Sequence, residues 1–166
     1  MKANLITFLL VLFSFQFLSA EIVRYNELEK GKIWRGGQPK TEDDYLMLKK
    51  QGIKTIINLR WDESVETSKQ MARKHRFKFI NVPMKATDQP DEKNVNKVLN
   101  ALRNPNNQPV FLHCQHGKDR TGLISALYRV EFQNWRATQA RDEWINMGFS
   151  VRFLRKLDQY FLDRTN

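Results

Sequence analysis

The sequence predicts a three-layer α/β sandwich, in which a mostly parallel central sheet of four to five strands is flanked by helices. Short β-branched or apolar runs such as Ile53–Leu59 and Val110–Leu112 alternate with longer segments of helical periodicity, the pattern of strand–helix–strand units. No repeat, low-complexity tract or Pro/Gly/Ser-rich linker divides the 166 residues, a length that suits one domain. We therefore expect a single domain over residues 21–166.

The first half of the chain predicts five elements, each from a local signal. They are an edge strand at Lys32–Arg35 before the Gly36-Gly37-Gln38-Pro39 turn, a helix capped by Thr41 that stops at Gly52, a buried strand at Ile53–Leu59, a helix from Asp62 or Ser64 to about His75, and a strand at Phe77–Val82.

The second half predicts one strand and four helices. Val95, Val98, Leu99 and Leu102 recur at helical spacing after a polar loop, the short apolar strand Val110–Leu112 follows, a helix with a broad apolar face begins near Thr121, and two amphipathic helices cover about Arg136–Met147 and Val151–Arg164. In sheets of this kind, ligands bind at loops that leave the carboxyl ends of strands.

The composition favours an anionic partner and excludes some kinds of disulfide and metal site. The net charge is +10, from 28 Lys and Arg against 18 Asp and Glu. A single cysteine, Cys114, excludes an internal disulfide framework and any metal site built on paired cysteines. Three scattered histidines do not predict a zinc site, and we expect no metal and no cofactor. The sequence has no basic stripe with interleaved aromatic residues, so it does not indicate nucleic-acid binding.

The first 20 residues have the layout of a secretory signal peptide. Lys2 supplies a positive start, Leu5–Phe17 is a short apolar run, and Leu18-Ser19-Ala20 offers small residues before Glu21. The apolar run is short for a membrane span, which needs ~20 residues. We expect cleavage near Ala20 and an exported protein, periplasmic or secreted, of bacterial type and without a stable membrane anchor.

One loop places the only thiol where an anion is favoured. It joins the strand ending at Leu112 to the helix beginning near Thr121, and its sequence is HCQHGKDRTG, residues 113–122. A helix N-terminus presents free backbone N–H groups and the positive end of its dipole. Arg120 adds a planar fork that can hold two phosphate oxygens. The field that binds phosphate also stabilises a thiolate, which would be a nucleophile directed at phosphorus.

This stretch resembles the H-C-x₅-R-[S/T] signature of the cysteine-based protein tyrosine and dual-specificity phosphatase superfamily. Residue types, spacing and strand–loop–helix context all agree, and the similarity extends from Trp34-Arg35-Gly36-Gly37-Gln38-Pro39 to the last helices. Lys118 within the loop is most similar to the atypical dual-specificity branch and the phosphatase-like phytases, which act on inositol phosphates. The resemblance implies a dual-specificity phosphatase-like fold and an enzyme without a metal.

The resemblance also implies roles for the loop residues. Cys114 would form a phosphocysteine intermediate, Arg120 would hold the phosphoryl oxygens, His113 would orient the loop and help keep the thiol ionised, and Thr121 would assist departure of the thiolate. The phosphate cradle would be made by Gln115, His116, Gly117, Lys118, Asp119 and Arg120. For Lys118, an ion pair with Asp119 is the alternative to substrate contact.

The general acid of such enzymes is an aspartate on a separate upstream loop. Here that loop is Ala86–Asp91, which lacks a Trp-Pro-Asp triplet. Asp88 is the favoured acid, because Asp91 is placed to cap the following helix. Arg35 and Arg60, each at a strand end, either line the mouth of the pocket or are solvated surface residues.

Three functions follow from these residues. The leading one is hydrolysis of phosphomonoesters on inositol polyphosphates such as inositol hexakisphosphate, by a monomer. The alternative is a protein tyrosine or dual-specificity phosphatase acting on a phosphoprotein. The third is a non-catalytic module that binds polyanions, which would have no need of the Cys114 nucleophile.

Overall fold

The structure is a computed structural model that describes residues 22–166. The predicted signal peptide, residues 1–20, lies outside the described residues. In the described chain the strands are β1 (Asn26–Glu29), β2 (Ile33–Gly36), β3 (Thr55–Asn58), β4 (Lys78–Asn81) and β5 (Val110–His113), and the helices are α1 (Glu42–Lys50), α2 (Ser64–Lys74), α3 (Glu92–Arg103), α4 (Arg120–Gln133), α5 (Ala137–Asn146) and α6 (Arg155–Thr165).

The strands form one sheet in the order β1-β2-β5-β3-β4. β2, β5, β3 and β4 run parallel, and β1 is antiparallel to β2. His113 at the end of β5 is level with Gly36 of β2 on one side and Asn58 of β3 on the other. The loop after β5 therefore emerges at the middle of the carboxyl edge of the sheet, where this class of fold places its ligands.

The sheet edge next to β2 corrects one expectation. Lys32–Arg35 was expected to form an edge strand, but β2 lies inside the sheet because Asn26–Glu29 pairs with it as β1. The β1 sequence, NELE, is rich in residues that are uncommon in strands, and only Leu28 is buried. Its strand conformation comes from pairing with β2, a tertiary effect that a local pattern does not carry.

Two apolar cores lie on opposite faces of the sheet, which confirms the three layers. Phe111 of β5 packs with Tyr45 and Leu48 of α1 on one face. Its neighbours Val110 and Leu112 pack on the other face with residues of α3, α4, α5 and α6. Successive residues of β5 thus point to opposite faces, and both faces are covered, as expected for a parallel sheet.

The predicted starts of the first five helices agree with the structure to within two residues, whereas the last helix begins at Arg155 and not at Val151, because residues 151–153 form a turn. Thr41 forms a capping box with Asp44 at the start of α1. Asp91 caps α3, accepting a hydrogen bond from the Lys93 N–H at 2.8 Å. None of the helices within residues 22–166 is both long enough and apolar enough to span a bilayer.

Candidate active site

Cys114 lies at the first position of the loop between β5 and α4, the stretch Cys114–Arg120, called the phosphate loop below. Its side chain is fully buried at the carboxyl edge of the sheet, next to the core beneath α4. α4 is a 14-residue helix that begins with Arg120. The thiol therefore lies between the central strand and the positive end of a helix dipole. The loop's backbone can enclose a tetrahedral anion against this end of the helix.

Gly117 lets the phosphate loop lie directly against the end of β2. Its φ angle is +73°, and a Cβ there would lie 2.5 Å from the carbonyl carbon of Gly36 and 2.6 Å from the nitrogen of Gly37. No side chain fits in that space, and a residue other than glycine is strained at this angle. The Gln38 N–H also donates to the Gln115 carbonyl at 3.1 Å. The Gly36-Gly37-Gln38 turn thus supports the loop from one side.

Trp144 of α5 supports the phosphate loop from the other side. Its indole Nε1–H donates to the Lys118 carbonyl at 2.8 Å, and its ring stacks on Phe149 with centroids 3.8 Å apart. The indole lies so close to Gly122 that a Cβ there would be 2.1 Å from Trp144 Cδ1. Trp144 thus packs in the core, as expected for an apolar residue, and also fixes the backbone of the site.

Arg120 connects the phosphate loop to the segment that carries the candidate acids. Its side chain is buried, and Nη1 donates to the Met84 carbonyl at 3.0 Å, in the connection between β4 and α3. Nε–H is buried and has no partner within residues 22–166. A buried donor without an acceptor is costly, and a phosphoryl oxygen bound in the loop would supply one.

His113 is a neutral residue that holds the backbone. It is fully buried, and its Nδ1 lies 3.1 Å from the Cys114 carbonyl, a distance at which a protonated Nδ1 donates. Burial, together with the positive charges of Arg60 and Arg120, lowers its pKa to about 4. At neutral pH the imidazole therefore orients the loop through a hydrogen bond and carries no charge.

Thr121 has a hydroxyl available at the base of the phosphate loop. Its side chain is fully buried, and Oγ1 has no hydrogen-bond partner among the described residues. Its backbone carbonyl accepts from Ser125 Oγ at 2.7 Å, inside α4. The hydroxyl that the resemblance assigns to the departing thiolate is thus not occupied by another group.

The remaining loop residues differ in exposure. Gln115 and His116 are exposed, whereas Lys118 and Asp119 are half-buried. Burial lowers the pKa of His116, with a further contribution from the charge of Lys118. Burial raises the pKa of Asp119 against the opposing effect of Lys118 and Arg120. No ion pair joins Lys118 to Asp119, so the Lys118 ammonium is not bound to its neighbour.

The connection between β4 and α3 carries Asp88 and Asp91. Asp91 is engaged as the cap of α3, whereas Asp88 is exposed and accepts from Thr87 Oγ1 at 3.2 Å. Both line a cavity of about 230 Å³, together with Met84, whose carbonyl Arg120 contacts. No residue of the phosphate loop lines the cavity, and Met84 is the residue that connects its wall to Arg120.

Trp61 forms an exposed aromatic wall of this cavity. It is 54% exposed, and the Lys85 ammonium lies 4.9 Å from its ring centroid. An exposed ring with a cation above it can contact a substrate group that is flat, anionic or both.

The two strand-end arginines are neither solvated nor free to bind substrate. Arg35 is buried and paired with Glu143 at 3.0 Å, which also binds Arg129 at 2.9 Å. Arg60 is largely buried and pairs with Asp62 at 2.5 Å, while its Nη1 donates to Gln38. Arg35 ties β2 to α5, and Arg60 fixes the turn after β3, so both stabilise the frame around the site.

Sequence reasoning missed Arg24. Its guanidinium donates from Nη1 to the His116 carbonyl at 3.1 Å, in the middle of the phosphate loop. The two residues are far apart in sequence, and one arginine in a basic chain gives no local signal. Among residues 22–166, no group of three or more His, Cys, Asp or Glu side chains is arranged to hold a metal ion.

Comparison with known proteins shows that the chain is similar to phosphatases. Residues 15–155 match the model of a family described as DSP-PTPase phosphatase fused to NAD+ kinase. The chain is 29% identical over 137 residues to inositol diphosphatase SIW14 of Saccharomyces cerevisiae, covering 80% of this chain and 48% of that protein. It is 30% identical over 118 residues to the dual specificity protein phosphatase TpbA of Pseudomonas aeruginosa, covering 70% of this chain and 51% of TpbA. The chain thus spans about half the length of these curated relatives.

The fold is also shared with a solved structure. The core catalytic domain of the S. cerevisiae PP-IP phosphatase SIW14, crystallised with citrate, superposes with a TM-score of 0.72 at 25% identity. The superposition covers 86% of this chain and 88% of that domain. The three-layer α/β sandwich of a dual-specificity phosphatase-like fold is therefore confirmed.

Proposed function

Because this chain belongs to the DSP-PTPase phosphatase family, we propose that it hydrolyses phosphomonoesters through a phosphocysteine intermediate, with inositol polyphosphates such as inositol hexakisphosphate as its substrates. The observation that carries the proposal is the juxtaposition of a buried thiol, Cys114, with the start of α4 and with the unpaired buried Nε–H of Arg120. Such a site favours a phosphoryl group directly above a nucleophile.

In the first step the Cys114 thiolate attacks phosphorus, and the bond between phosphorus and the leaving oxygen breaks. Asp88 gives its proton to that oxygen, so the substrate leaves as an alcohol. Arg120 and the loop N–H groups hold the equatorial oxygens, on which negative charge is spread in the transition state. The product of this step is the phosphocysteine.

In the second step water attacks the phosphorus of the phosphocysteine. The Asp88 carboxylate accepts the proton of the water, the sulfur–phosphorus bond breaks, and inorganic phosphate leaves. The Thr121 hydroxyl donates a hydrogen bond to the departing thiolate, since Oγ1 has no other partner within residues 22–166. The sum of both steps is hydrolysis, and each group returns to its starting state.

Charge and the named relatives support an inositol polyphosphate substrate. The chain carries a net charge of +10, and Lys118 is not paired with Asp119. One relative is named as an inositol diphosphatase. A substrate with several phosphate groups gains more from such a field than one with a single phosphate.

A protein tyrosine or dual-specificity phosphatase is the second candidate. It is supported by the exposed ring of Trp61, which lines the same cavity as Asp88 and which a phenyl ring could contact. The relative TpbA is named as a dual specificity protein phosphatase.

The test is phosphate release by the purified protein from inositol hexakisphosphate and from a phosphotyrosine peptide, with a chelator present. We expect release from the inositol compound, and its loss in the Cys114→Ser variant by at least ~10³-fold. Preference for the peptide would favour the second candidate. Turnover that survives Cys114→Ser would contradict the mechanism, and no turnover of either substrate would support a binding module.

We also propose that the protein is exported as residues 21–166, as a periplasmic or secreted enzyme. The support is the charge and apolar pattern of residues 1–20. An enzyme in such a compartment would meet small phosphorylated compounds from outside the cell.

A further inference from the structure

The described chain begins with a short segment, Ile22–Arg24, that lies against the support of the phosphate loop. Ile22 is buried, and a Cβ on Gly36 would lie 3.0 Å from its Cγ2. The Val23 carbonyl accepts a hydrogen bond from the Gly37 N–H at 2.8 Å. The segment therefore packs on the same glycine pair that Gly117 contacts.

Arg24 is held in an uncommon backbone conformation by contacts with two distant parts of the chain. Its φ angle is +56°, which few residues other than glycine, Asn and Asp adopt. Its side chain donates from Nη1 to the His116 carbonyl at 3.1 Å and from Nε to the Met147 carbonyl at 2.9 Å. A conformation of this kind persists where the surroundings fix it, and here they fix a cation beside the phosphate loop.

The third nitrogen of the guanidinium lies beside Lys118. Nη2 of Arg24 and Cδ of Lys118 each lie 3.6 Å from the point where a Cβ on Gly148 would be. The two cationic side chains thus converge over the same glycine, at the rim of the loop. Besides the larger effect of desolvation, the charges of Lys118 and Arg24 both lower the pKa of the loop residue His116. Their two positive charges therefore add together at the edge of the phosphate loop.

We propose that Arg24 adds an accessory cation beside Lys118, which the family resemblance already implies contacts substrate, and that the two side chains bind a second phosphate group of the substrate. The proposal rests on the proposed function and names its substrate class: small molecules with two or more neighbouring phosphates, as on an inositol ring. One phosphate lies in the loop above Cys114, and its neighbour lies between the two side chains. Arg24 supplies a planar donor group fixed by two carbonyls, and Lys118 supplies a mobile point charge.

The variants separate this role from simple support of the loop. Arg24→Gln removes the charge and keeps an amide donor for a carbonyl, whereas Arg24→Lys keeps the charge. Arg73→Gln is the matched control, since Arg73 is an exposed arginine in the last turn of α2, which leads to the start of β4 at the opposite end of the sheet.

The kinetic readout is the ratio of kcat/KM for inositol hexakisphosphate to kcat/KM for para-nitrophenyl phosphate, which has one phosphate. We expect Arg24→Gln to lower this ratio about tenfold, the loss of one charge-assisted hydrogen bond. We expect Arg24→Lys to retain most of it and Arg73→Gln to leave it as in the wild type. An equal loss on both substrates would show that Arg24 only supports the loop and would overturn the accessory site.

A binding measurement keeps the inference testable if neither compound is hydrolysed. In the Cys114→Ser background, calorimetry compares inositol hexakisphosphate with inorganic phosphate. Arg24→Gln should raise the Kd of the inositol compound about tenfold more than that of phosphate. Absence of turnover together with this difference would reject the proposed hydrolysis and support the site. Equal effects on both ligands would reject the site.

Discussion

The imidazole of His113 is neutral in the folded protein because burial lowers its pKa from 6.5 to about 4. An unfolded chain binds a proton at this residue below about pH 6.5, and the folded protein does not until about pH 4. Between about pH 4 and pH 6.5 the folded protein therefore binds fewer protons at His113 than the unfolded chain does. The contribution of His113 to stability is present above pH 6.5 and decreases as the pH falls from 6.5 towards 4.

The protonation of His113 thus predicts that the stability of the folded protein depends on pH through this one residue. We expect the free energy of unfolding in urea to fall between pH 7 and pH 5, and the fall to be smaller in His113→Asn, by at most ~1.4 kcal/mol per pH unit. His116→Gln is the control for the other histidine of the loop, whose pKa is also lowered but which is exposed. An unchanged pH dependence in His113→Asn would contradict the neutral buried imidazole.

The two aspartates of the β4–α3 connection predict different losses. Asp88→Asn should reduce kcat by ~10²-fold or more without loss of stability, because it removes the proposed proton donor. Asp91→Ala should cost about 1 kcal/mol of stability by removing the cap of α3, and should leave most of the turnover. Turnover and urea unfolding of both variants check this. If Asp91→Ala loses the turnover and Asp88→Asn does not, the acid is Asp91.

At the scale of elements, the phosphate loop depends on its contact with the end of β2. Gly117→Ala should lose most of the activity, since its Cβ would meet the backbone of Gly36 and Gly37. Gly31→Ala is a matched control, because Gly31 has a similar φ of +70° and open space around it. Both variants carry the cost of a left-handed alanine, roughly 1–2 kcal/mol. Phosphatase assays and thermal unfolding distinguish them, and equal activities would show that the close packing does not matter.

Most elements could be predicted because their signals are local. The apolar spacing of Val95, Val98, Leu99 and Leu102 defines α3, and all four are buried. β1 could not be predicted, because NELE becomes a strand only by pairing with β2. Helix starts are less certain from the sequence: α4 begins at Arg120 and not at Thr121, and α6 begins at Arg155 and not at Val151.

The residues of the candidate site also fall into a group that the sequence predicts and a group that it does not. Cys114, Arg120 and Thr121 lie close together in one short stretch of the sequence, so their spacing alone predicts a phosphate loop. The groups that support the loop come from distant elements: the Met84 carbonyl, the Trp144 indole and the Arg24 guanidinium. Their roles depend on how the chain folds in space. Arg35 was expected at the mouth of the pocket or in solvent, because its ion-pair partner Glu143 on α5 is far away in sequence.

At the scale of the whole molecule, the proposed export predicts a defined N-terminus. When the full chain is expressed in a bacterium, the protein in the periplasm or medium should begin at or next to Glu21, as measured by mass spectrometry of the intact protein. Cleavage there keeps Ile22 and Arg24, which contact the support of the phosphate loop. Recovery of a chain that keeps residues 1–20 in the cytoplasm would contradict the proposal.

The strand order has a consequence for how the chain folds. β5 is the last strand to be synthesised, yet it lies at the centre, paired with β2 on one side and β3 on the other. Until Val110–His113 has left the ribosome, the pairings of the finished sheet that can form are only β1 with β2 and β3 with β4. Joining them closes long loops in one event, the slow kind of contact in folding. The strand that joins the halves also positions Cys114, so a nascent chain forms the pocket around this thiol only as its sheet is completed.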